Sequence, residues 1–198
     1  MANSGVDIIE IGVPYSDPLM DGPTIQAAVD IALEHKTGIK EVMETVSEVS
    51  KTGVAVLTMS YWSPIEKWGI SKYAKQLNQA GGIGVITPDL PPDESEAWIS
   101  ESDANNLDRI FVVAPSSTEE RLKIVTDKVT GFVYAASIMG VTGTRSEVSN
   151  KAEELVKRVR KHTNLPIAVG LGVSTVEQAQ EVAKFADGVI IGSAFVKK

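Results

Sequence analysis

Two periods alternate along the chain. Short runs rich in Val and Ile are followed by longer stretches whose apolar residues recur at three- and four-residue steps, the pattern of successive βαβ units around a parallel sheet. The runs predict strands over residues 6–13, 54–59, 84–87, 109–113, 131–136, 167–170 and 188–191. Helices are predicted between them over residues 24–33, 39–50, 71–79, 94–102, 119–129, 151–161 and 176–185. Ile39, Val42, Met43, Val46 and Val49 form one stripe that would lie on the sheet. Helix starts are signalled by hydroxyl, amide or carboxylate residues three positions before a Glu: Ser117 with Glu120, Ser174 with Glu177, Asp93 with Glu96 and Asn150 with Glu153.

An unbroken βα series fits a closed β/α barrel of the TIM type better than an open doubly wound sheet. No strand runs into a G-x-G-x-x-G turn, and glycines gather instead after the last two strands, where such barrels bind phosphate. Only seven strands are predicted, so the barrel is expected to be incomplete, with a leading strand and helix and a closing helix missing. No linker-like stretch divides residues 1–198, which predicts a single domain.

The first strand carries the most informative residue. Ile8, Glu10 and Gly12 share one face while Ile9, Ile11 and Val13 share the other, so an aliphatic face against helices turns Glu10 inward. A buried carboxyl there would have a raised pKa and could give and retake a proton; a structural Glu bonded to backbone or to an interior Lys is the alternative. Asp17 and Asp21 follow in a loop stiffened by Pro14, Pro18 and Pro23. Asp-Pro and Asp-Gly form turns, and Thr24 can cap the next helix, but Asp21 also lies near enough to Glu10 for two carboxylates to address one substrate.

Gly170-Leu171-Gly172-Val173-Ser174 and Gly192-Ser193-Ala194 join strands to helices, where backbone N–H groups beside small residues can hold an anion without Lys or Arg. Tight turns alone would also use these glycines. Residues 137–145 read as a glycine-hinged lid or as an idle surface loop. Tyr61 and Tyr134 fall near strand ends, where a ring walls a substrate or simply packs, and Trp62, Trp68 and Trp98 read as surface or helix-packing residues.

Composition narrows the chemistry further. Nineteen Lys and Arg against 26 Asp and Glu give a net charge of −7, which argues against a nucleic-acid surface, so any phosphate must be held locally. The chain has no Cys, which suits a reducing cytoplasm, and neither a membrane-length apolar run nor a signal-peptide pattern. His35 and His162 stand in polar helical stretches, so metal ligation and His-based triads are poor readings.

The segment from Glu10 through Pro14, Asp17, Asp21 and Thr24, with Pro88-Asp89-Leu90-Pro91, Gly140-Val141-Thr142-Gly143 and the two glycine turns in order, resembles the tryptophan synthase alpha subunit family over nearly the whole chain. The resemblance implies a lyase that cleaves indole-3-glycerol phosphate to indole and glyceraldehyde 3-phosphate, without metal or organic cofactor. It implies Glu10 as the acid/base at the indole C3 and the glycerol hydroxyl, and Asp21 at the indole N–H. It further implies Gly143, Gly172, Gly192 and Ser193 as the phosphate cradle, Tyr61, Tyr134 and Leu171 as the pocket, and Thr142 as the lid residue closing onto Asp21. A pyridoxal-phosphate beta subunit is the implied partner, with Asp17, Asp89 and Pro91 on the contact surface. Ile138, Met139 and Ser63 depart from residues common in the family, which bears on the lid and on partner coupling. An incomplete barrel would expose strand edges, implying self-association, or leave a phosphate- or partner-binding module with impaired catalysis. Another phosphate-binding barrel enzyme, such as an isomerase, fits the Glu10 to Thr24 segment poorly.

Overall fold

The computed structural model describes residues 1–136, 145–170 and 172–197. Its elements alternate as the periodicity requires, and they gather into two compact units, Met1–Ile110 and Phe111–Lys198.

In the first unit β1 (Ile8–Gly12) leads through α1 (Pro23–Glu34) and α2 (Ile39–Ser50) to β2 (Ala55–Met59). Then α3 (Trp62–Trp68) and α4 (Ile70–Gln79) precede β3 (Gly84–Thr87), and α5 (Glu96–Ala104) precedes β4 (Asp108–Val113), which runs on into the second unit. β1 pairs parallel to β2 with Glu10 opposite Leu57, and β2 pairs parallel to β3 with Leu57 opposite Gly84. Val46 from α2, Ile65 from α3, Tyr73 and Leu77 from α4 and Trp98 from α5 are fully buried with Val56 and Val85 of the strands. The α2 stripe is buried as its spacing predicts, except that Val49 at its end is only half-buried. Tyr73 is satisfied inside this core by donating its hydroxyl to Thr58 Oγ1 (2.9 Å), and burial pushes its pKa up to about 12.

The second unit continues from the end of β4 through α6 (Glu119–Lys128), β5 (Val133–Ala136), α7 (Arg145–Arg160), β6 (Ile167–Gly170), α8 (Val176–Val182), β7 (Gly188–Val189) and α9 (Ser193–Val196). β4, β5, β6 and β7 pair in that order, all parallel. Leu122, Leu155, Val159, Ile167, Val169 and Val182 are buried within it. Arg158 of α7 bonds to Glu119 (2.6 Å) and to the carbonyls of Pro115 and Ser117, and His162 reaches the other Glu119 oxygen (3.0 Å). His162 is thus engaged in a surface hydrogen bond.

Several boundaries differ from the expected ones for local reasons. The cap of α6 is Thr118, which accepts from Arg121 N, while Ser117 Oγ accepts from Ala114 N one turn earlier. Thr175 with Gln178 forms the box at α8, one residue later than expected. Ser95 is the cap position of α5 and makes no side-chain capping bond, its Oγ donating instead to Pro92 O (2.6 Å), while Asp93 lies in the short 3₁₀ turn Pro92–Glu94. Asn150 is inside α7, whose first turns are polar and carry no apolar stripe to announce them. Gly22, not Thr24, precedes α1, which opens on Pro23, a residue suited to a first turn whose N–H groups have no partner. α3 was not expected; Pro64 lies in its first turn, where a missing N–H costs nothing.

Candidate active site

β1 alternates as read from sequence: Ile9 and Ile11 are half-buried, Val13 is buried, and Ile8, Glu10 and Gly12 lie on the opposite, accessible face. Glu10 therefore keeps solvent access, a correction to the expectation of a carboxyl buried in an apolar run. The protein around it is nonetheless dense, and that, with the charge of Asp21 as the lesser cause, raises its pKa from 4.5 to about 7. Water at its accessible edge screens part of this shift.

Asp21 stands at the end of the loop, one residue before the turn into α1, and Gln26 Nε2 donates to its backbone carbonyl (2.8 Å). Desolvation raises the Asp21 carboxyl, and a hydrogen bond from the Tyr61 hydroxyl acts the other way. Glu10 and Asp21 are thus within electrostatic reach of each other, with the environment of each favouring the neutral acid.

Tyr61 follows β2 and is buried. Its oxygen accepts from the backbone N–H groups of Leu19 (3.1 Å) and Met20 (2.9 Å), and its ring packs against Tyr15 with centroids 5.5 Å apart. Asp17 is exposed and accepts from Ser16 Oγ (2.5 Å). Asp89 accepts from Trp62 N (2.9 Å), capping α3 from 27 residues away, and Pro91 immediately precedes the 3₁₀ turn. Neither the Tyr61 anchor nor the Asp89 cap follows from local sequence signals.

In the second unit, Tyr134 is the second residue of β5, one from the start of this four-residue strand, and is buried. Gly170 leaves room for it: a Cβ at Gly170 would stand 2.4 Å from Tyr134 Oη. Gly172 has φ +92°, the left-handed conformation that favours glycine in the β6–α8 turn. Gly192 and Ser193 open the short α9, and a Cβ at Gly192 would project into open space. Thr142, Gly143 and Leu171, with residues 137–144 of the expected lid, lie outside the described residues, and Arg145, its last residue, opens α7. Among the described residues no cluster of three or more His, Asp or Glu could hold a metal ion, and no helix is long and apolar enough to cross a membrane.

The family model described as tryptophan synthase alpha chain matches residues 1–198. The chain belongs to that family. Among its relatives, the tryptophan synthase alpha chain of Acidothermus cellulolyticus is 54% identical over 197 residues, covering 100% of this chain and 74% of the relative. That of Thermobifida fusca is 55% identical over 201 residues, with the same coverage. A crystal structure of tryptophan synthase from M. tuberculosis superposes with a TM-score of 0.92 at 47% identity, covering 99% of this chain and 74% of that one. Tryptophan synthase subunit alpha from Legionella pneumophila gives a TM-score of 0.88 at 32% identity, over 99% of this chain and 73% of its own. The chain thus spans about three quarters of the length of these tryptophan synthase alpha chains. Its fold class is the TIM-type β/α barrel, represented among the described residues by seven parallel strands. Family membership makes it a carbon–carbon lyase of tryptophan biosynthesis, the alpha-type enzyme that cleaves indole-3-glycerol phosphate to indole and glyceraldehyde 3-phosphate.

Proposed function

We propose that Glu10 and Asp21 carry out this cleavage in distinct roles. The observation that supports the reading is the pair itself: two carboxylates within electrostatic reach, one of them raised to about 7 and so shared between acid and base near neutrality. Protonated Glu10 delivers its proton to C3 of the indole ring, which makes the ring nitrogen electron-poor. The Glu10 carboxylate then accepts the proton of the adjacent glycerol hydroxyl. The C3–carbon bond breaks, its electrons return to the ring, and an aldehyde is left. Asp21 accepts the indole N–H and offsets the positive charge that builds there. No outside oxidant or reductant is needed.

Phosphate is assigned to Gly143, Gly172, Gly192 and Ser193, whose small side chains allow backbone N–H groups to approach it. Tyr61, Tyr134, Thr142 and Leu171 are assigned to the pocket, and residues 1–198 to one domain. The partner is the pyridoxal-phosphate beta subunit of tryptophan synthase, meeting Asp17, Asp89 and Pro91, in the cytoplasm. Exposed Ile8, Leu19, Ile31 and Leu33 of the first unit also suit self-association.

Indole release from indole-3-glycerol phosphate tests the roles. Wild type should turn over, while Glu10→Gln and Asp21→Asn should lose about 100-fold or more. Equal background rates in all three would leave a phosphate- or partner-binding module in place of the lyase. Gly192→Val should weaken glycerol-phosphate binding; unchanged affinity would move the anion site elsewhere.

A further inference from the structure

Resting on the lyase reading for its catalytic consequence, we propose that the Tyr61 hydroxyl is the positioning group for Asp21, fixing the loop that carries this carboxylate as well as walling a pocket. The phenol oxygen has one proton and room to accept two hydrogen bonds. Both acceptor positions are filled by consecutive backbone N–H groups, Leu19 at 3.1 Å and Met20 at 2.9 Å, from a segment 41 to 42 residues earlier in the chain. The hydroxyl proton is left for the Asp21 carboxylate, with which Tyr61 also interacts. One oxygen thus ties down two backbone positions and the reacting side chain that follows them.

The loop has little else to hold it. Leu19 is 78% exposed, Asp17 is exposed, and Ser16 bonds only to its neighbour among the described residues. Gln26, which holds the Asp21 carbonyl, belongs to the helix that the loop itself leads into. Tyr61 itself is firmly placed. Ser60 N donates to Ile86 O (3.0 Å) on one side, Trp62 N donates to Asp89 Oδ1 (2.9 Å) on the other, and Ser60 Oγ donates to Tyr61 O (2.9 Å). The rigid end of β2 therefore transmits its position to a loop without a core of its own. An error of about 1 Å in such a group can cost on the order of 100-fold in rate.

Tyr61→Phe keeps the ring and removes the oxygen. We expect amide exchange at Leu19 and Met20 to quicken by about tenfold or more while β1 and β2 amides stay protected. We expect kcat for indole release to fall by about 10- to 100-fold with KM within about threefold. Tyr61→Leu, which removes the ring as well, should add a rise in KM. Unchanged exchange in Tyr61→Phe overturns the proposal, and so does faster exchange with kcat intact, since Tyr61 would then be a wall or a packing residue only. If wild type releases no indole, the lyase reading fails by itself, and the exchange rates still decide whether Tyr61 anchors the loop.

Discussion

Glu10 binds its proton more tightly in the folded chain than in an unfolded one, because dense protein and the Asp21 charge both disfavour its ionised form. The linkage has a definite sign. A carboxyl raised from 4.5 to about 7 favours the native state fully below the lower value, and that contribution is lost as pH rises through this window. Glu10→Gln, which stays neutral, should therefore have a higher urea midpoint than wild type at pH 8, with the difference vanishing near pH 4.5. Solvent access at Glu10 makes the gap smaller than burial would, but reversal of its sign would show that Glu10 is stabilised as a carboxylate. Sequence already showed which face of β1 Glu10 takes, because a two-residue period settles it. Sequence did not show how exposed that face is, since exposure depends on what packs opposite the strand. Gly170 makes the same point: it read as part of a phosphate turn, and its lack of a side chain also admits the Tyr134 hydroxyl from a neighbouring strand.

Among the elements, β1, α2, β2, α4 and β3 were legible because each satisfies its own periodicity and buries the side it predicts. α3 was not, because seven residues holding a Pro and two Trp give no stripe. Its start is stabilised from outside, by Asp89 on the loop after β3. Asp89→Ala should cost about 1 kcal/mol in a denaturant titration, the usual worth of a cap, and Asp89→Asn, which keeps an acceptor oxygen, less than half of that. Because Trp62 adjoins Tyr61, Asp89→Ala should also loosen Leu19 and Met20 in amide exchange. An alanine variant as stable as wild type would show the 2.9 Å contact to be dispensable.

For the whole molecule, the net charge of −7 favours solubility, whereas Ile8, Leu19, Ile31 and Leu33 leave apolar surface on one unit. If that surface self-associates, sedimentation velocity over a concentration series should show larger species in wild type, and Ile31→Lys should suppress them; one monomeric species throughout for wild type would end the idea. By itself the sequence determined the βα order, the phase of the β1 alternation, the α2 stripe and the family-like run from Glu10 to Thr24. These are local properties, set by a period of two or of about 3.6 residues and by the conformations that Pro and Gly permit. Tertiary structure alone decided that the Tyr61 oxygen meets Leu19, Met20 and Asp21, that Asp89 caps α3, and that Tyr134 lies beneath Gly170. Those partners come together through parallel strand pairing, and a short segment carries no record of which distant hydrogen-bonding group will stand beside it once the sheet has formed.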